Sequence, residues 1–392
     1  MKSNYEPLSK HIRLVDYRNS EEVTSTVLGI SIDKEFMPSV ANVIGTDLSR
    51  YKLISKGLFA CNPMHVGRDE RLPIALYEKA NPAIVSPAYF MFEIIDHAIL
   101  NEEYLMMWFR RPEFDRECWF MTDGSVRGGI TWDDLCRIKL PVPSYMRQCE
   151  IVESYRTITN RIALKRAEND NLQQQAAAIF RSWFVDYVPF GGTVPDEWKN
   201  VTLEDITTLV SRGITPKYAD DTGQIVINQK CIRNHMIDLS FARSHRPKVI
   251  NNKWLQFGDL LINSTGDGTL GRAAQVWFQP HNLTVDSHVT IVRPAAENMI
   301  FYIGLWGTQH EKEIESLHTG STGQTELPRD RVKAIELLLP DKETLERFNA
   351  LIAPMAAAIV SNQEENNRLA SIRDALLPKL MSGKIDVSAI QL

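Results

Sequence analysis

The feature that most constrains this chain is an internal repeat with a period of about half its length. Shifting Ile138-Lys139-Leu140-Pro141-Val142-Pro143 by 197 positions lands on Ile335-Glu336-Leu337-Leu338-Leu339-Pro340. The same shift carries Ile151 onto Phe348, Tyr155 onto Ile352, Ile158 onto Met355 and Ile162 onto Ile359. It continues without a gap through Leu172 onto Leu369 and Ile179 onto Leu376. Earlier features pair at slightly larger shifts: Tyr104 and Trp108 with Tyr302 and Trp306 at 198, Val85-Ser86 with Val285-Asp286 at 200, Gly57 and Asn62 with Gly258 and Asn263 at 201. A drifting shift means loop insertions inside a shared fold, so the chain should be two similar mixed α/β modules, each followed by a long helix.

The helices carry the clearest local signal. Positions 151, 155, 158, 162, 165, 169, 172, 176, 179 and 183 follow the 4-3 spacing of a coiled-coil seam. They hold Ile151, Tyr155, Ile158, Ile162, Lys165, Asn169, Leu172, Ala176, Ile179 and Trp183. The equivalent positions hold Phe348, Ile352, Met355, Ile359, Asn362, Asn366, Leu369, Arg373, Leu376 and Leu380. Both seams are apolar at the ends and polar in the middle. Two unrelated amphipathic helices, each packed on its own module, would satisfy the apolar positions. The shared polar break argues instead for two helices that pack on each other, and an antiparallel pair would bring the two polar layers together. Such layers cost stability and fix register. Pro354 lies inside the second helix, where it removes a backbone donor and should kink it.

The modules read as short strands and loops. Candidate strands are Ser25–Ile32 and Ala88–Ile94 in the first, and Gln224–Asn228, Leu260–Asn263, Ala273–Phe278 and Val289–Val292 in the second. Pro189 and Phe190-Gly191-Gly192-Thr193 mark the boundary after the first helix. The implied division is 1–143, 144–190, 191–340 and 341–392.

Several catalytic motifs have look-alikes that lack their context. Gly266-Asp267-Gly268-Thr269-Leu270-Gly271 fits GxGxxG, yet the segment after it is short, β-prone and stopped by Pro280, which indicates a glycine-rich hairpin turn and no helix facing a pyrophosphate. As a P-loop it would put Arg272 and Ala273 where Lys and Ser/Thr are needed. In Pro195-Asp196-Glu197-Trp198-Lys199 the two acids are adjacent in one turn, unlike a nuclease carboxylate pair, and the segment reads as a polar lead-in. Asn62-Pro63-Met64 and Asn81-Pro82-Ala83 lack the second proline and aromatic of an adenine methyltransferase. The histidines show no HExxH, and Ser321 is not in GxSxG. Cys61, Cys118, Cys136, Cys149 and Cys231 form no CxxC and read as buried, inert thiols, with no disulfide framework. No secretory signal follows Met1, and no run approaches about 18 apolar residues, so the chain reads as cytoplasmic with no membrane span.

Charge is informative only locally. The total is −5 over 392 residues. Residues 230–253, however, hold Lys230, Arg233, Arg243, Arg246, Lys248 and Lys253 against Asp238 alone, with His235 and His245 beside them. Such a loop could line a phosphate backbone, and it could equally be a solvated basic face. Lys217 and Arg272 are further cations of the second module. In the first module Arg68, Arg71 and Arg127 sit in loop-like, glycine-containing stretches. Arg127 is equivalent to Gln324 at the 197 shift, and Arg and Gln suit bidentate reading of guanine and adenine.

Leu172-Gln173-Gln174-Gln175-Ala176-Ala177-Ala178-Ile179-Phe180-Arg181-Ser182-Trp183-Phe184-Val185-Asp186-Tyr187 resembles the central conserved helix of the DNA-specificity (S) subunits of type I restriction–modification enzymes. The tail from Leu369-Ala370-Ser371-Ile372-Arg373-Asp374-Ala375-Leu376-Leu377-Pro378-Lys379-Leu380 to Met381-Ser382-Gly383-Lys384-Ile385-Asp386-Val387 resembles the second conserved region of that family. Phe257-Gly258-Asp259-Leu260-Leu261, followed by Gly268-Thr269-Leu270-Gly271-Arg272, is similar to its target-recognition domains. Residues 1–130 depart most, with Cys61-Asn62-Pro63-Met64-His65-Val66-Gly67-Arg68 in place of the glycine-rich turn.

The resemblance implies an α+β fold: two similar mixed α/β target-recognition domains separated by two long antiparallel coiled-coil helices. It implies a non-catalytic subunit whose domains each read half of a bipartite, asymmetric site in double-stranded DNA. The partners it implies are two methyltransferase (M) subunits and a restriction (R) subunit. No cofactor is expected here, with S-adenosylmethionine, ATP and Mg on the partners. The seam from Ile151 to Trp183 would span about 50 Å at 1.5 Å per residue, room for one turn of DNA or somewhat more between two readers, and whole heptads added or removed should change the unread gap. Two other classes remain open on the residues alone: a single-chain enzyme with an unrecognised site, and a coiled-coil adaptor that never touches DNA.

Overall fold

A computed structural model describes residues 5–39, 45–64, 66–122, 128–220, 222–246, 248–266, 268–320 and 325–381. Short strands, the central ones largely buried, build the same sheet twice. In the first module Ile12–Leu14, Phe90–Ile94, Phe59–Cys61 and Ile74–Leu76 lie side by side in that order, all antiparallel. In the second, Thr207–Arg212, Val289–Pro294, Leu260–Asn263 and Ala273–Gln275 repeat the order and the directions. Phe59 faces Phe92, and Leu260 faces Val292. These registers reproduce the sequence shifts of 201 and 200.

A second sheet repeats as well. Val27–Ile30 runs parallel to Ala83–Val85 and antiparallel to Phe36–Pro38. Ile225–Ile227 runs parallel to Leu283–Val285 and antiparallel to Arg243–Ser244. Lys52–Ile54 extends only the first of these sheets, and the hairpin Ile232–Arg233 with Met236–Ile237 is found only in the second module, among the described residues. Each module then adds helices (Glu102–Phe109 and Pro112–Phe120; Ile300–Gln309 and Glu311–Ser316) and closes on a two-stranded pair, Tyr5–Pro7 with Lys139–Pro141 or Lys199–Thr202 with Glu336–Leu339.

The two long helices are Tyr145–Phe184, the central helix, and Lys342–Met381, the distal helix. The chain divides into two compact units, residues 1–162 with 368–392, and residues 163–367. In the first unit Ile151, Val152 and Tyr155 of the central helix share a core with Leu377, Leu380 and Met381 of the distal helix and with the stacked pair Phe59–Phe92, 5.0 Å between centroids. In the second unit Phe184 of the central helix packs on Phe348 of the distal helix at 4.8 Å and on Tyr302 at 4.9 Å. Rising numbers on one helix meet falling numbers on the other, so the pair is antiparallel.

The polar break is a hydrogen-bonded layer inside the second unit. Asn362 Nδ2 donates to Asn169 Oδ1 at 2.9 Å and to Glu168 Oε2 at 3.1 Å, and its Oδ1 accepts from Lys165 Nζ at 2.8 Å. Asn169 Nδ2 donates to the Ile359 carbonyl at 3.3 Å. Both asparagines are buried. Asn362→Leu strands the Asn169 carbonyl, while Lys165 keeps Glu168 at 3.3 Å and Glu365 at 3.7 Å. The variant is expected to cost about 1–3 kcal/mol in a denaturant melt. Asn169→Leu combined with Asn362→Leu should recover part of that loss, since it removes both buried amides.

The seam itself needs a correction. Ile151, Tyr155, Ile162, Phe348, Ile352, Ile359 and Leu380 are buried, but Ile158, Leu172 and Leu369 are only half-buried. Ile179 and Trp183 are partly buried, while Ala176, Phe180 and Phe184 take the core positions; in the same core Met355 yields to Ala356, and in the first unit's core Leu376 yields to Leu377. The reason is geometric. An ordinary helix drifts about 20° per heptad against a strict 3.5 repeat, so the buried face moves to i, i+4, i+8 spacing. The distal helix runs on through Pro354. Ala273–Phe278 is shortened to Ala273–Gln275. Cys136 and Cys149 are half-buried, unlike Cys61, Cys118 and Cys231. Burial pushes the Cys61 thiol up to about 12 and the Cys231 thiol up to about 11. Among the described residues no helix is long and apolar enough to cross a membrane.

Candidate nucleic-acid interface

The second module gathers part of its positive charge on one sheet edge. Arg243 lies in the outer strand Arg243–Ser244, paired with Ile225–Ile227. The chain before that sheet folds back alongside it: Ala219 N–H donates to the Ser244 carbonyl at 3.2 Å, Arg246 N–H to the Lys217 carbonyl at 2.8 Å, and Lys248 N–H to Gln224 Oε1 at 3.0 Å. These bonds place Lys217, Arg243, Arg246 and Lys248, all exposed, in one patch. The Arg243 guanidinium stacks on Tyr218, 3.6 Å from the ring centroid. Stacking of this kind holds the cation planar and outward without consuming its hydrogen-bond donors.

A second pair sits further along the same loop. Arg233 lies 5.3 Å from the Phe241 ring, which is itself exposed, and Lys230 is exposed on the turn before it. Lys253 is different. Its Nζ turns inward to the Gly213 carbonyl at 3.0 Å, and burial lowers its affinity for a proton. It is a tether of the loop, so the run 230–253 does not act as a single face. Arg272 is half-buried, with Nη2 on the Gly268 carbonyl at 2.8 Å.

The two described candidate cations of the first module are paired. Arg68 is exposed and paired with Asp69 at 2.7 Å, and Arg71 pairs with Asp33 at 3.2 Å. Exposed pairs of this kind are worth about 0–1 kcal/mol, so either arginine can be released to a phosphate. Arg127 and Gln324 lie outside the described residues, as does the tail motif from Ser382.

Beneath the second module's loops lies a buried ion pair that sequence inspection passed over. Asp259, fully buried, accepts from Arg293 Nε and Nη2 at 2.7 Å each. The same guanidinium donates to the Asn252 carbonyl at 3.0 Å and the Trp254 carbonyl at 2.7 Å. The glycine before it, Gly258, has φ +90° and leaves no room for a Cβ against Ile300. Phe257-Gly258-Asp259 is therefore a structural clamp on the loop that carries Lys248 and Lys253. The motif match gave no sign of Arg293, 34 residues away. Tyr218 and Phe241 were missed for a similar reason: an exposed aromatic gives no signal until the cation beside it is known. The GxGxxG look-alike closes an antiparallel hairpin, as expected, between Leu260–Asn263 and Ala273–Gln275.

No family model matches the chain. Over 313 residues it is 24% identical to the type I restriction enzyme MjaIX specificity subunit of Methanocaldococcus jannaschii, covering 74% of this chain and 70% of that one. Over 333 residues it is 22% identical to the type I restriction enzyme HindI specificity subunit of Haemophilus influenzae, covering 65% and 71%. In fold it is similar to the S subunit of a type I restriction–modification system from M. genitalium, with a TM-score of 0.58, 14% identity, and coverage of 97% of this chain and 96% of that one. The chain is thus similar in sequence and in fold to specificity (S) subunits of type I restriction–modification systems, the resemblance its two helix motifs led us to expect.

Proposed function

We propose that the chain is the non-catalytic DNA-sequence-recognition subunit of a type I restriction–modification complex in the cytoplasm. Each module reads one half of a bipartite, asymmetric site in double-stranded DNA. The helix pair sets the gap and docks two methyltransferase subunits, with a restriction subunit joining them. S-adenosylmethionine, ATP and Mg belong to those partners. The observation that carries the reading is the repeated topology on an antiparallel helix pair, with unlike loops on the two copies: alike frameworks fit two duplex segments, and unlike loops fit two different sequences. The test is methylome sequencing of a host expressing the chain with its methyltransferase subunits. A bipartite motif with a fixed gap is expected; methylation by the chain alone, or no DNA binding by the complex in a gel shift, would refute the reading.

The cationic edge gives a quantitative check. Each phosphate contact contributes about −0.9 to the slope of log K against log salt. Neutralising Arg243, Arg246 and Lys248 together in the complex should make that slope shallower by about 2–3. An unchanged slope would return the patch to a solvated face.

A further inference from the structure

Two side chains of the second module share one hydroxyl group. Gln229 Nε2 donates to Thr265 Oγ1, and Thr265 Oγ1 is 2.9 Å from His288 Nδ1. A hydroxyl has a single proton to give. A hydroxyl oxygen that accepts from Gln229 still has its own proton to give, and the tautomer that pairs with it takes that proton on His288 Nδ1 and carries a proton on Nε2. In that tautomer the group offers a hydrogen-bond acceptor, Gln229 Oε1, and a donor, His288 Nε2–H, and neither has a partner among the described residues.

The surroundings are built for this arrangement. Asn263, fully buried, donates Nδ2 to the Gln229 carbonyl at 3.3 Å, and its own Oδ1 is unpartnered among the described residues. Gly266 has φ +99°, and a Cβ there would come 2.7 Å from Gln229 Oε1. Only glycine lets that oxygen stay where it is. His288 is exposed and Gln229 half-buried, so the pair is open on one side. Lys230, exposed and next to Gln229, supplies a cation for the flanking backbone.

We propose that Gln229 and His288, held by Thr265, read an adenine in the half-site of the second module. This rests on the DNA-reading function proposed above. In the major groove adenine offers an N6 donor and an N7 acceptor on one base edge, whereas guanine offers two acceptors and thymine an acceptor and a methyl. Gln229 Oε1 accepts from N6, and His288 Nε2–H donates to N7. The first module does not repeat the device at the equivalent positions: at the repeat shifts Thr265 corresponds to Met64 and His288 to Ala88. The two halves of the site are then read by different chemistry.

The test is methylome sequencing of hosts expressing the complex with Gln229→Ala, His288→Ala or Thr265→Val. His288 is exposed, so its alanine variant keeps the fold. Thr265→Val preserves shape and removes only the shared hydroxyl. All three should relax one A·T position of one half-site, with preference for adenine falling about ten- to a hundredfold, while the other half-site and the gap stay fixed. An unchanged motif in all three variants, or relaxation at a position that is not A·T, overturns the assignment. A wild-type complex that methylates no bipartite motif fails the parent reading instead, and the two failures are told apart in the same experiment.

Discussion

Asp259→Ala is expected to destabilise the second module by about 3–5 kcal/mol, read from the denaturant midpoint of residues that unfold with it. The magnitude comes from the charge left behind. Arg293 is largely buried and donates to Asp259 through two nitrogens at 2.7 Å. Without the carboxylate its charge stays in place uncompensated, because its other donors remain committed to the Asn252 and Trp254 carbonyls. The backbone also suffers, since Asp259 Oδ2 accepts the Gln256 N–H at 2.8 Å and so shapes the turn through Gly258. Removing the charge as well separates the two contributions. Asp259→Ala with Arg293→Met should be markedly more stable than Asp259→Ala alone, since a buried pair replaced by apolar groups is often close to neutral. If the double variant were as unstable as the single, the turn bond to Gln256 and not the ion pair would carry the cost.

That pair also shows what the sequence could and could not convey. The repeat was legible because apolar spacing is a local property: Ile138–Pro143 and Ile335–Pro340 share their apolar pattern position by position, and the strands Phe59–Cys61 and Leu260–Asn263 occupy the same place in the same sheet. The antiparallel helix pair was legible through its polar layer, because Lys165, Asn169 and Asn362 can satisfy one another only if they meet. Which helix face is buried was not legible at the level of Phe180 against Ile179, since a few degrees of drift decide it. Nor was the buried lysine of the first module. Lys34 sits in a hairpin turn with φ +65°, where a solvated side chain is the ordinary expectation. Its Nζ instead bonds Asp115 at 2.7 Å and the Leu72 carbonyl at 2.8 Å, and burial lowers its affinity for a proton. Contacts that span 81 residues leave no periodic trace. The same holds for the interface. The run of cations was visible in the sequence, but the places of Tyr218, Phe241 and the Gln229–Thr265–His288 group follow from strand pairing and turn geometry.

Inserting one heptad into both long helices, beside Asn169 and beside Asn362, is expected to lengthen the unread gap by about three base pairs. Seven residues add about 10.5 Å of helix at 1.5 Å each, and duplex DNA rises about 3.4 Å per base pair. A whole heptad keeps the apolar face within about 20° of its phase, and placing it in both helices keeps the polar layer paired. Each end of the central helix is anchored in its own module. Near its start, buried Gln148 bonds the Ile99 and Pro143 carbonyls at 2.8 and 2.9 Å and accepts the Asn101 N–H at 2.9 Å, which fixes the helix to the first module. Near its end, Phe180 and Phe184 are locked in the aromatic core of the second module with Tyr302 and Phe348. Since about ten base pairs make a turn, three base pairs also rotate the second half-site by somewhat under a third of a turn. The complex must absorb that rotation by twisting either the DNA or the helix pair, so slower methylation is expected along with the longer gap. Methylome sequencing of the variant complex reads both. The two half-site sequences should be unchanged, because the insertions lie in the helices alone; an unaltered gap would mean that the partner subunits, and not these helices, set the spacing.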